Sequence, residues 1–184
     1  MLFAALCLSV ALPQSTDRIS HDSSAGQANS HSYGAQISAN GRFVAFQSEA
    51  SDLVPADTNA AWDIFLRDTV SGMTTRVSVS SFGTQGNHDS TSPAISADGR
   101  FITFQSKASN LVAVDSNNRD DIFVHDMKTG LTENVSVSSA GVQSNGVSYA
   151  PRISADGRFV VFPCEGNNLV AGDTNGFTDV FRYD

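Results

Sequence analysis

The chain has 184 residues, 40% of them apolar and 12 of them Phe, enough for one domain with a real core. Eleven Lys and Arg stand against 19 Asp and Glu, for a formal net charge of −8. That balance argues against a nucleic-acid partner, because neutralising phosphates takes clustered basic side chains.

In chain order, residues 1–12 (MLFAALCLSVAL) come first, an apolar run too short to span a bilayer but of the length of a signal-peptide core. Ser9 and Ala11 are small residues at a plausible cleavage position, and no Lys or Arg precedes the run. Residues 1–14 are therefore read as a signal peptide or a hydrophobic arm, and the expected location is secreted, periplasmic or cell envelope, with no integral membrane span. Removal of the leader leaves Cys164 alone, so neither an intrachain disulfide nor a cysteine-based metal site can form. Cys164 stands where the other copies of the repeat described below have Ser48 and Ser106, and is expected to be a buried, inert thiol.

From residue 15 onward the chain repeats itself every 58 residues. Ile37-Ser38-Ala39-Asn40-Gly41-Arg42-Phe43 returns as Ile95-Ser96-Ala97-Asp98-Gly99-Arg100-Phe101 and as Ile153-Ser154-Ala155-Asp156-Gly157-Arg158-Phe159. A period of this kind means one structural unit stacked on copies of itself. The copies span about 15–72, 73–130 and 131–184. Short apolar alternations such as Phe43-Val44-Ala45-Phe46, Asp63-Ile64-Phe65-Leu66 and Arg76-Val77-Ser78-Val79 predict strands, and no 3.6-residue period predicts a helix. The middle copy reads as strands at about 91–96, 100–106, 120–127 and 132–139. Asn40-Gly41, Asp98-Gly99 and Asp156-Gly157 predict two-residue type I′ hairpins. Four antiparallel strands at this period describe one blade of a β-propeller, so the fold class is all-β, with three four-stranded blades. Asp17-Arg18-Ile19-Ser20 matches the fourth strand of the later copies and is expected to complete the last blade, which has no fourth strand of its own after Phe181-Arg182-Tyr183-Asp184.

The segments from Pro93 to Phe104 and from Pro151 to Phe162, P-x-I-S-A-D-G-R-F-x-x-F, resemble the WD40-like PD40 repeat of TolB-type β-propellers. The resemblance implies that S-x-D-G-R joins the two inner strands of a blade. It also implies a repeat found in periplasmic and secreted binding proteins and in propeller domains of peptidases. Propellers typically close with four to eight blades. Three leave a strained ring, a truncated product, or a half-ring that pairs with a second chain as a homodimer of six blades.

Each copy also carries D-x-N-x-x-x-D, as Asp57, Asn59 and Asp63, then Asp115, Asn117 and Asp121, then Asp173, Asn175 and Asp179. Oxygen side chains alternating over a short loop suit Ca²⁺, and the absence of His and Cys from the recurring positions argues against softer metals. The same residues form Asx-turns without an ion. Asp68, Asp126 and Asp184 are expected to pair with Arg42, Arg100 and Arg158 instead. A second recurring loop carries Gln85 and Asn87, Gln143 and Asn145, and Gln27 and Asn29, residues suited to a polar ligand or simply to solvation. Trp62 is the only Trp, and its counterparts are Asp120 and Thr178. His88 and Asp89 are the least implausible catalytic pair, but no nucleophile elbow, paired-His motif or phosphate loop accompanies them. The expectation is a non-catalytic module that binds protein or polysaccharide; the alternative is a polysaccharide lyase or hydrolase on the same scaffold.

Overall fold

A computed structural model describes residues 14–184; the leader expectation falls outside them, apart from residue 14. Eleven strands follow: β1 (Ser32–Ile37), β2 (Phe43–Ser48), β3 (Asp63–Asp68), β4 (Met73–Arg76), β5 (Ser90–Ile95), β6 (Phe101–Ser106), β7 (Asp121–Asp126), β8 (Thr132–Asn134), β9 (Arg152–Ile153), β10 (Val160–Cys164) and β11 (Asp179–Tyr183). Each pairs antiparallel with its chain neighbours in one of three sheets, β1 to β4, β5 to β8 and β9 to β11. Among the described residues there is no helix. The chain is a partial β-propeller, and the sheets are its blades 1, 2 and 3.

The alternation explains the stacking. In β3, Ile64 and Leu66 face forward and join Phe104 and Phe123 of blade 2 in one core, while Phe65 faces back with Phe46. The same two Phe positions pair in every blade, stacked at 5.8 Å for Phe46 and Phe65 and 5.9 Å for Phe104 and Phe123, and tilted at 6.2 Å for Phe162 and Phe181. A central strand buried on both faces needs apolar residues at consecutive positions, which is why Ile64-Phe65-Leu66 and Ile122-Phe123 read as short continuous runs.

The hairpin expectation is corrected. Only the glycines, Gly41 (φ 74°), Gly99 (φ 78°) and Gly157 (φ 77°), take positive φ, while Asn40, Asp98 and Asp156 do not. Gly41 N–H donates to Ser38 O, and the Asn40 carboxamide oxygen accepts from Arg42 N–H and Ser38 Oγ. A type I turn followed by a left-handed Gly results, a longer loop than the two-residue I′ form. The hairpins are also linked to one another, because Ala39 N–H donates to Ala97 O and Ala97 N–H to Ala155 O, both at 2.9 Å.

The fourth strands end earlier than expected, at Arg76 and Asn134. The Ser78 hydroxyl takes over the ladder there, donating to Asp63 Oδ1 and accepting from Ile64 N–H, and Ser136 does the same at Asp121 and Ile122. The amino-terminal segment is a second correction. Residues 17–20 form no strand, and Ile19 packs on the Phe46–Phe65 cluster of blade 1, so blade 3 has three strands rather than four. Ile19 there does for blade 1 what Val77 does for blade 2, covering the backward-facing Phe pair.

Candidate functional site

In each blade the connection from second to third strand ends in the D-x-N-x-x-x-D loop, and all three loops close on themselves alike. Asn59 Nδ2 donates to Asp63 Oδ2 (3.2 Å) while Asn59 Oδ1 accepts from Ala61 N–H. Asn117 repeats this with Asp121 (2.8 Å) and Arg119 N–H, and Asn175 with Asp179 (3.0 Å) and Phe177 N–H. The Asn oxygen is thus engaged by backbone in an Asx-turn. Among the described residues no group of three or more His, Cys, Asp and Glu side chains is placed to hold a metal ion.

The loops differ in what faces their carboxylates. In blade 1 the guanidinium of Arg76 lies 3.1 Å from Asp57 Oδ2 and 3.4 Å from Asp63 Oδ2, all three side chains nearly buried. Gln85 Nε2 adds hydrogen bonds to Asp57 Oδ1 (2.8 Å) and Asp63 Oδ2 (3.1 Å). Burial pushes the Asp63 carboxyl up, opposed by the Ser78 hydrogen bond and by Arg76. In blade 2 the Arg is replaced by Asn134, and among the described residues no basic side chain forms an ion pair with Asp115 or Asp121. Asp115 Oδ1 is buried without a hydrogen-bond partner, as is Asn134 Nδ2. Burial pushes Asp121 up to about 6, offset in part by hydrogen bonds from Ser136 and Asn117 and reinforced by neighbouring Asp115. In blade 3, Asp173 and Asp179 have no counterpart of Arg76 or Gln85 from the described residues. The sequence placed Gln85 in the second recurring loop and Arg76 in a strand, and connected neither with the acidic loop because both lie in the stretch leading to the next blade. The recurrence of Gln at 27, 85 and 143 was the available signal.

The recurring Asn residues of the second loop are tethers. Asn87 binds Ser109 and Asn110, Asn145 binds Asn167 and Asn168, and Asn29 binds Ser51 and Asp52. Asp89 Oδ1 accepts from Trp62 N–H at 2.9 Å, so that carboxylate too fixes a loop. Cys164 is buried beside Ser144, with Sγ to Oγ at 2.9 Å. The three Arg–Asp pairs form as expected, each through two hydrogen bonds of 2.7 to 3.0 Å, with each guanidinium also over the ring of the following Phe. Those pairs hold Asp68, Asp126 and Asp184 below the usual carboxylate range.

One surface feature gathers residues the sequence did not connect. His31 stacks on Tyr33 at 5.9 Å, and Tyr33 meets Trp62 at 5.7 Å, on the face where the loops emerge. Tyr33 is 58% exposed. In blade 3, Tyr149 hydroxyl lies 3.5 Å from Thr178, the counterpart of Trp62, so the neighbourhood recurs while the aromatic trio belongs to blade 1. Comparing Trp62 only with Asp120 and Thr178 hid this, because its partner comes from the innermost strand.

No protein-family model matches the chain, and no curated protein does. Solved structures do. TolB from Acinetobacter baumannii is 17% identical with a TM-score of 0.51, over 84% of this chain and 30% of that one. A TolB-type protein from Agrobacterium tumefaciens is 20% identical with a TM-score of 0.50, over 83% of this chain and 49% of that one. At these identities the likeness is one of fold, a TolB-like propeller, and this chain spans less than half the length of either neighbour.

Proposed function

We propose that the chain is an exported, non-catalytic propeller module of PD40 type that binds or scaffolds a protein or a polysaccharide on its loop face. The observation that supports this best is the row of exposed His31, exposed Tyr33 and half-buried Trp62 beside loops whose polar side chains are already tethered. Aromatic rings with a polar edge bury much area at low entropic cost, which suits protein contacts and the apolar faces of sugar rings alike. The four His residues do not gather into an acid–base constellation. His21 meets Asp22 O, His31 stacks, His88 is exposed, and buried His125 bonds to Thr132. Fold alone licenses no activity.

Trp62 is the single Trp, so its fluorescence reports this surface directly. Titration with a panel of acidic and neutral polysaccharides and with envelope-protein extracts should shift the emission for one class, and Tyr33→Ala should abolish the shift. Release of unsaturated sugar or peptide cleavage by the pure chain would overturn the non-catalytic reading.

Calcium is a second reading, favoured at blade 2 by the unpartnered Asp115 Oδ1 beside Asp121. In blade 1 the same place holds a guanidinium. A cation bound only by the folded state stabilises it by about 2.7 kcal/mol at a hundredfold excess over its Kd. A melting temperature in EDTA equal to that in Ca²⁺, with Mg²⁺ as control, would remove this reading.

A further inference from the structure

We propose that two copies of this chain associate head to tail into a closed ring of six blades, with residues 15–20 of each copy supplying the fourth strand of the other copy's blade 3. The two ends of the described fold carry complementary halves of one repeated interface, and the junctions inside the chain show what the joined halves look like.

At the junction of blades 1 and 2, Val77 N–H donates to Ile64 O, Ser78 Oγ bridges Ile64 N–H and Asp63, and Arg76 with Gln85 meets Asp57 and Asp63. Shifting by two repeats turns Asp57, Asp63 and Ile64 into Asp173, Asp179 and Val180 on blade 3. Shifting back by one turns Arg76, Val77, Ser78 and Gln85 into Arg18, Ile19, Ser20 and Gln27. The carboxylates thus sit at one end of the fold and the guanidinium and carboxamide at the other. The latter are already held together, since Arg18 Nη1 donates to Gln27 Oε1 at 2.9 Å. Arg18 is exposed, as its role requires. Among the described residues of one copy the third acidic loop therefore lacks the guanidinium and carboxamide that close the first, and in the ring the second copy supplies them.

Three further observations agree. Ile64 and Ile122 are fully buried between blades, while their counterpart Val180 is 73% exposed. On the opposite end Ile37 is 62% exposed, while Ile95 and Ile153 pack into the blade cores. The Ala39, Ala97 and Ala155 chain of backbone bonds leaves Ala39 O and Ala155 N–H free for each other across the new junction. A Cβ on Gly99 or Gly157 would strike Phe43 or Phe101 of the preceding blade, whereas Gly41 has nothing within 4 Å; the partner's Phe159 fills that place. Contacts of this head-to-tail kind close into rings when the rotation permits, and six blades lies within the propeller range.

Sedimentation velocity on the full chain at about 100 μM, far above the Kd of a micromolar interface, should give twice the 19.4 kDa of one copy. Arg18→Glu and Asp173→Arg should each sediment as monomers with unchanged far-UV circular dichroism, and their equimolar mixture should return to dimer, because both junctions are then charge-matched. Val180→Lys, at a position open to solvent in one copy, should also be monomeric. A wild-type monomer, dimers that survive all three substitutions, or a mixture that stays monomeric would overturn the ring.

Discussion

In the middle blade the Asp121 side chain is fully buried. Its carboxyl is pushed up to about 6 by burial, while Asp68 and Asp126 are held low by their arginines. These shifts act in different pH windows. A folded-state value above the unfolded one, about 3.9 for Asp, means the native state holds the proton longer, so stability falls as pH rises from about 4 to about 6. The depressed Asp68 and Asp126 add stability that is present above about 4 and lost below it. His125, lowered by burial, works against Asp121, because stability is then lost as pH falls through its unfolded value of about 6.5. Comparing wild type with Asp121→Asn cancels the other groups. By urea unfolding, the stability difference should move in favour of the variant by about 2 to 3 kcal/mol between pH 4 and 6.5. A difference independent of pH would show that folding leaves the Asp121 carboxyl unshifted.

At the scale of elements, the hairpin glycines separate turn strain from blade packing. Gly41 and Gly99 share the left-handed conformation, but an added Cβ finds open space at Gly41 and collides with the Phe43 ring at Gly99. Gly41→Ala should cost only the left-handed penalty, about 1 to 2 kcal/mol. Gly99→Ala should cost a further 1 to 3 kcal/mol, roughly, for displacing a packed ring. Equal melting temperatures for the two variants would mean that the blades do not interlock there. The hairpins also mark how far the sequence could be read. Their positions and the strands around them followed from the 58-residue period, since alternation and turn residues are local properties. The turn type did not, because Asp98 engages Ser96 Oγ and Arg100 N–H and this keeps it out of positive φ. Arg76 beside Asp57, and Tyr33 beside Trp62, were likewise hidden, since each contact joins separate strands or loops within a blade. The recurring Asp and Asn of the candidate site were legible; their bonding partners required the fold.

For the whole molecule, the consequence of stacked blades is that protection depends on having a neighbour on each side. Blade 2 has both, and its Ile122 and Phe123 are fully buried, one in each inter-blade core. Among the described residues blade 3 has one, and Val180 and Arg182 of β11 face away from it. Stability in such arrays is close to a sum of units and nearest-neighbour interfaces, so a blade lacking one interface opens more easily. Amide exchange followed by mass spectrometry should find β11 exchanging well before β6 and β7 in dilute protein. Because the ring supplies β11 with the other copy's strand, its exchange and that of residues 15–20 should slow together as concentration rises, while β6 and β7 stay unchanged. Arg18→Glu should remove that concentration dependence at both segments at once. Slowing at only one of the two segments would place the second copy elsewhere on the surface, because strand addition protects its donor and its acceptor alike.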